Sequence, residues 1–307
     1  MERGQSASFS YNVGGFLLEH QDYPGLYRAA DSASAKAQSA YLRSFQWHIV
    51  TLITGAALAV NPVPTALYSL VNAGVFLAAL GISVLIAAKR YEKSWYSARA
   101  VAESVKTSTW RYMMRADPFL DATSVGEVNN VFRRLLEGIL SSNNQIGDLL
   151  GGDDCARDQI TQFMRDTRAK PIEERRQLYL ASRIREQRNW YAEKSKYNKK
   201  RSTFFFVLLV MLQVIAAGLV LSRIAFPEWK VWPTEVFVVA AGSVTAWMQL
   251  KRFQEVGTAY ALTAHEIGII ESKITEPDTD ELFSEFVRDA ENAFSREHTQ
   301  WIAKVEH

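Results

Sequence analysis

The stretch LYSLVNAGVFLAALGISVLIAAKRYEKSWYSARAVAESVKTSTWRY (67–112) decides the fold. Residues 67–88 contain no Asp, Glu, Lys or Arg, and from Lys89-Arg90 onward the chain is charged and amphipathic. A membrane-spanning helix needs ~20 mostly apolar residues, with a range of about 17–25. Residues 67–88 therefore read as a span. Backbone polar groups in hydrocarbon must be satisfied within the segment, so the span is a helix. No Gly or Pro lies between Leu85 and Tyr112, so the span is expected to continue directly into the cell as a polar helix.

Working outward, the pattern recurs. FQWHIVTLITGAALAV (45–60) precedes the first span across the short link NPVPTA. TFFFVLLVMLQVIAAGLVLS (203–222) and VFVVAAGSVTAWMQL (236–250) form a second pair around RIAFPEWKVWPTE. None of the four runs carries an ionisable Asp, Glu, Lys or Arg. The second and third reach spanning length outright, whereas the first and fourth need their flanks. Buried core helices would be shorter, ~10–14 residues, so the expectation is two transmembrane hairpins. The second half repeats the opening device: Lys89-Arg90-Tyr91 aligns with Lys251-Arg252-Phe253, Trp95 with Gly257 and Glu103 with His265.

Flanking cations orient the hairpins. Lys36, Arg43, Lys89, Arg90, Lys93, Lys194, Lys196, Lys199, Lys200, Arg201, Lys251 and Arg252 lie on one side, while the two links hold only Arg223 and Lys230. The positive-inside rule puts both termini and the central segment in the cytoplasm. Trp229 and Trp232 on a link, and Trp47, Tyr91 and Trp95 at the inner edge, fit interfacial belts. The N-terminal MERGQSASFSYNVGGF has no apolar core of a signal peptide.

The expected class is an all-α integral membrane protein, with two hairpins whose long helices continue into a cytoplasmic helical domain. Residues 20–120 form a first two-span domain, 121–170 a helical connector and 171–307 a second two-span domain. Ser124-x-x-Glu127 and Asp278-x-x-Glu281 read as capping boxes. Val128, Val131, Phe132, Leu135, Leu136 and Ile139 recur at helical spacing. Leu282, Phe286, Ala290, Ala293, Trp301 and Val305 read as the apolar stripe of a last helix. GGDD (151–154) reads as a loop, and Pro171 suits the first turn of one helix of ~45 residues reaching to Gly218.

Chemistry is sparse. Lys+Arg 35 against Asp+Glu 33 leaves a net charge of +2, without the basic bias of a nucleic-acid binder. The lone Cys155 excludes an intrachain disulfide. His265-Glu266 lacks the second His that a zinc-protease helix needs, because Ile269 stands there. Neither a phosphate loop nor a nucleophile elbow occurs. No enzyme, cofactor or metal is expected, and the partners are the lipid bilayer and further copies of the chain. Uncharged spans argue against a proton-coupled pump or voltage sensor. Ser69, Asn72 and Ser83 on one span, Gln213 on another, and Thr245 and Gln249 on the fourth are candidate pore-lining residues. The same groups would serve equally as interhelical hydrogen-bonding glue. Ser243 belongs with them, and Gly55, Ala59, Gly74, Ala78, Gly218, Gly242 and Ala246 would permit close packing.

YPGLYRAAD (23–31), AQSAYLR (37–43) and WYSARAVAESVKTSTWRY (95–112) resemble one subtype of the SLATT domains, two-helix membrane effectors associated with SMODS nucleotidyltransferases and SLOG proteins. REQRNWYAEKSKYNKKRS (185–202) and DAENAFSREHTQW (289–301) resemble another subtype. The resemblance implies a bacterial inner-membrane effector that, with partners, answers a nucleotide messenger made during phage attack and perforates the membrane. It places Trp95, Arg99, Glu103, Trp110, Arg111 and Tyr112 in one cytoplasmic signature. Gln187, Trp190, Tyr191, Lys194 and Asn198 fall in the other, with Arg296, His298 and Trp301 near the end. Their roles are helix packing beside the bilayer or holding a gate closed. The chain departs from fused members in carrying no nucleotide-synthesising or nucleotide-sensing domain. Sensing would then fall to a nucleotide-sensing or nucleotidyltransferase partner.

Overall fold

The computed structural model describes residues 18–120, 124–151 and 156–303, with side-chain surroundings through Ser295. Among these, every regular element is helical. In chain order they are α1 (Gly25–Ala59), α2 (Ala66–Lys89), α3 (Tyr91–Met113), α4 (Val125–Ser142), α5 (Gln162–Ala169) and α6 (Ile172–Tyr179). A π-helical turn at Leu180–Arg185 leads into α7 (Glu186–Ala225), followed by α8 (Thr234–Lys251), α9 (Phe253–Ser272) and α10 (Asp280–Ala303). Cys155, most of the GGDD loop and Val305 lie outside the described residues, as do the side chains of Arg296, His298 and Trp301.

Two stretches, Ala66–Met113 and Ile172–Ala225, contain helix long and apolar enough to cross a membrane. Only 6% of each apolar window is buried, whereas a core helix of a soluble protein would be mostly covered. Leu67, Leu70, Leu77, Leu80 and Val84 of α2 are exposed, as are Phe204, Val214, Leu221 and Ile224 of α7. The shorter apolar runs in α1 and α8 fall below that length and composition.

The chain folds as two compact units, each drawing on both sequence halves. The first gathers residues up to Gln38, Glu92–Trp190 and Thr263 onward; the second gathers Ser39–Tyr91 and Tyr191–Leu262. The first unit holds the large buried side chains, with Trp110, Tyr112, Phe119, Phe132, Tyr179 and Phe283 fully covered. Burial of such rings contributes ~1.5–3 kcal/mol each. On α4 the expected stripe is realised, with Val128, Phe132 and Leu136 buried.

The second unit holds the hairpins. In the first, a Cβ on Gly55 would meet the Phe76 ring at 3.2 Å, so glycine there lets α1 and α2 approach. Gly74, Gly218 and Gly242 have nothing within 4 Å and face open space. At the second link, Arg223 joins Glu235 at 3.3 Å and the Thr234 hydroxyl at 3.2 Å, and lies over the Trp232 ring at 5.9 Å.

Three expectations change. The polar helix does not run straight out of the span: Arg90 sits between α2 and α3 in the left-handed region, φ 45° and ψ 42°. Arg252 does the same between α8 and α9, φ 45° and ψ 41°. Each keeps its N–H bonded four residues back, to Ile86 and Met248, so one residue redirects the chain. The cap of α10 is Thr279 rather than Asp278, its hydroxyl accepting from the Leu282 N–H at 3.3 Å. The buried stripe of α10 is accordingly Phe283, Val287, Ala290 and Phe294, and Leu282 is 48% exposed. The sequence stripe missed this register because the true face also carries Glu291, a charge. Finally, Pro171 stands one residue before α6 as its cap rather than in its first turn, whereas Ser124 caps α4 as expected, accepting from the Glu127 N–H at 3.4 Å.

Candidate functional site: a buried ion pair at a π turn, and the polar faces of the hairpins

The π turn interrupts an otherwise regular helix from Ile172 to Ala225. Such turns are poorer in hydrogen-bond geometry and cluster at functional sites. Here it lies between Tyr179 and Gln187, with Arg183 at its centre. The Arg183 guanidinium forks onto Glu291 of α10, Nε to Oε1 at 2.8 Å and Nη2 to Oε2 at 2.7 Å. The Tyr179 hydroxyl donates to the same Oε1 at 2.9 Å, and Arg183 Nη1 donates to Gln187 at 3.2 Å. The Arg183 and Glu291 side chains are 1% and 0% exposed. Burial alone would lower the Arg183 pKa, but the adjoining carboxylate outweighs it and the net shift is upward. Burial pushes the Tyr179 phenol well up, and Glu291 pushes it further. Arg183 also lies over the Phe294 ring at 5.0 Å.

Trp110 of α3 packs edge-on against Tyr179 at 5.6 Å and donates its indole N–H to the Tyr23 hydroxyl at 3.2 Å. Next to it, Arg111 donates to Asn292 at 2.6 Å. The two family signatures thus meet inside the first unit around one charge, Glu291. Neither quoted signature marked Tyr179 or Arg183.

A second charge cluster lies further toward the start of α3. Arg99 pairs with Asp31 of α1 at 3.3 Å and with Glu103 one turn on. His20 lies 3.5 Å from the other Asp31 oxygen. The hydrogen bond from His20, opposed by burial and aided by Arg99, holds the Asp31 carboxyl below its ordinary value. Burial lowers the Lys106 ammonium, with Glu103 working against it.

At the other end of α3 the chain leaves the helix with unpaired carbonyls. Two buried arginines satisfy them. Arg168 donates to Tyr112 O at 2.7 Å and Phe119 O at 2.8 Å, and Arg175 to Met114 O at 2.9 Å while pairing with Asp280. Tyr112 donates its hydroxyl to Asn129 at 2.6 Å. In sequence Arg168 and Arg175 look like members of a solvated basic run, so only the fold exposes their role.

The remaining signature residues are dispersed. Trp95 stacks on Tyr96 at 4.7 Å. Trp190 is 39% exposed. In the second unit Tyr191 meets Tyr260 edge-on at 5.3 Å, Lys194 lies over the Tyr197 ring at 5.9 Å, and Asn198 donates to Lys194 O at 2.7 Å.

The polar span residues differ in their surroundings. Ser83 spends its hydroxyl on Ala79 O at 3.1 Å and lies 3.5 Å from His48 Nδ1. Thr245 likewise donates to Ala241 O at 3.1 Å. Ser69, Gln213 and Gln249 are exposed, and Ser243 is buried. Asn72 is half-buried, and its Oδ1 meets no hydrogen-bond donor among the described residues.

Residues 24–176 match the family model described as SMODS and SLOG-associating 2TM effector domain 3, and residues 179–301 match that of effector domain 1. The two matches adjoin just before the π turn. No curated protein and no solved structure matches the chain.

Proposed function

The chain belongs to the SLATT family, with a domain of the third kind followed by one of the first, and from that premise we propose an oligomeric inner-membrane effector that conducts. Two tandem 2TM domains supply four spans per chain, with both termini in the cytoplasm. Four helices enclose little water alone, so a ring of copies forms the path. The observation that carries this reading is the exposure of Gln213 and Gln249 within apolar helix. An amide facing hydrocarbon without a partner costs several kcal/mol. Further copies or a water-filled path would satisfy it. The family description, an effector associating with SMODS and SLOG proteins, supports a nucleotide-linked partner and a role in anti-phage defence. Purified protein in liposomes should pass ions, alone or with candidate nucleotides and partner. Intact oligomers silent under all these conditions would overturn the proposal.

A non-conducting scaffold that recruits a cytoplasmic partner is the second reading. It is favoured by the way Ser83 and Thr245 turn their hydroxyls onto their own helices. Replacing Asn72 and Gln213 by Leu separates the two. A pore changes conductance or toxicity, whereas a scaffold keeps its assembly and partner binding.

A further inference from the structure

In the second unit, α7, α8 and α9 enclose an open groove of about 460 Å³. Past Arg252 the chain continues as α9 along α7 in the direction of α8, and the lining draws on all three helices. Two contacts pin α9. Phe253 stacks on Phe205 at 5.3 Å, and the buried Ser195 hydroxyl donates to Gly257 O at 2.7 Å. A Cβ at Gly257 would come within 3.3 Å of the Lys199 backbone nitrogen, so glycine permits this approach. The aligned position in the first half is Trp95, which cannot come so close.

The lining changes character along the groove. Lys199, Ser202, Gln254 and Thr258 are polar; Phe206 and Met248 are apolar, with Thr203 between. The change falls where the apolar runs begin on α7 and end on α8, the level at which hydrocarbon meets headgroups. Three neighbouring cations are engaged elsewhere. Arg201 donates to the Tyr197 hydroxyl at 3.1 Å, Lys251 lies over Trp247 at 5.9 Å, and Arg252 pairs with Glu255. Among the described residues no carboxylate pairs with Lys199. In the first half Glu92 and Tyr96 stand where Gln254 and Thr258 stand here, an acid and a bulky ring.

We propose that this groove is a binding site for one anionic phospholipid of the cytoplasmic leaflet. Lys199 takes the phosphate, and Ser202, Gln254 and Thr258 hydrogen-bond a polyol headgroup. Phe206 and Met248 hold the first methylenes. Its size suits a glycerophosphate headgroup and the start of the acyl chains. A soluble anion would leave the apolar end unused.

The test is native mass spectrometry of the full-length protein in mild detergent, offered phosphatidylglycerol and phosphatidylcholine in equal amounts. Phosphatidylglycerol should be retained preferentially. Lys199→Ala should cut that retention about fivefold, the attraction of one basic residue for an anionic headgroup. Thr258→Trp, which fills the groove and keeps the cation, should do the same. Lys200→Ala, next in sequence but outside the lining, should leave retention unchanged. Equal retention of the two lipids, or equal loss in Lys200→Ala, would overturn the proposal. So would displacement by millimolar inorganic phosphate, which would mark a soluble-anion site. A disulfide-linked dimer formed by Thr258→Cys would overturn it too, by showing that a second copy covers the groove.

Discussion

Glu291 is a lone carboxylate at the centre of a buried face, gripped by Arg183 and Tyr179. A buried pair adds little against a well-packed apolar pair, but losing one partner strands the other charge. Glu291→Gln should therefore cost about 3–5 kcal/mol in thermal melts followed by tryptophan fluorescence. The double variant Arg183→Met with Glu291→Leu should melt near wild type. If both melt alike, the pair is not desolvated as described. Asp31 offers a pH test. Its folded pKa is held below the ordinary 3.8, so its stabilisation is complete above that value and drains as pH falls through the folded one. The stability difference between wild type and Asp31→Asn should vanish in strong acid. A difference that persists unchanged there contradicts the coupling. Apolar periodicity marked neither site, although the resemblance singled out Arg99 and Glu103 beside Asp31. Periodicity reading excludes charged residues from a buried stripe, and Glu291 is invisible to it for that reason. Trp110 and Arg111 could be singled out by resemblance, but their partners Tyr23, Tyr179 and Asn292 come from far away in the chain.

At the scale of elements, composition revealed the apolar helices and their links, because hydrocarbon-facing sequence must be apolar on every side. It hid the breaks after them. A left-handed residue is usually announced by glycine, whereas here arginine occupies it twice, at a cost of ~1–2 kcal/mol. A cation at a helix C-terminus recovers part of this, about 0.3–1 kcal/mol. The same break stands at aligned positions, so in each half one unbroken helix, α1 or α7, is followed by a redirected pair. Because glycine enters the left-handed region without strain, Arg90→Gly should match or exceed wild type in stability. Arg90→Val should fall below Arg90→Gly by about 1–2 kcal/mol, since a β-branched residue strains most there. Arg252 should follow the same order. Valine as good as glycine at both positions would mean that the helices run straight through.

At the scale of the whole molecule, connectivity bears on the number of spans. The first unit contains the chain just before the apolar part of α1 and the chain just after Arg90. Trp110 bonded to Tyr23 and Arg99 paired with Asp31 hold those segments together, so they share one side of any bilayer. If α2 crosses, its link to α1 lies on the far side, and α1 must cross to reach it. The same reasoning applies at the second hairpin: residues up to Trp190 and from Thr263 belong to that unit, and α7, long and apolar enough to cross, lies between them; if it crosses, the chain must return. Then α8 must bring the chain back. Its 18 residues extend about 27 Å, close to the hydrocarbon thickness of ~30 Å. Single cysteines in a Cys155→Ser background test this with a membrane-impermeant thiol reagent on intact cells. Asn61→Cys and Trp229→Cys, on the links, should label. Ala35→Cys and Glu281→Cys, both on exposed positions of the first unit, should label only after the cells are opened. Labelling of Ala35→Cys together with Asn61→Cys, or of Glu281→Cys together with Trp229→Cys, in intact cells would mean that α1 or α8 does not cross, and the four-span arrangement would fall.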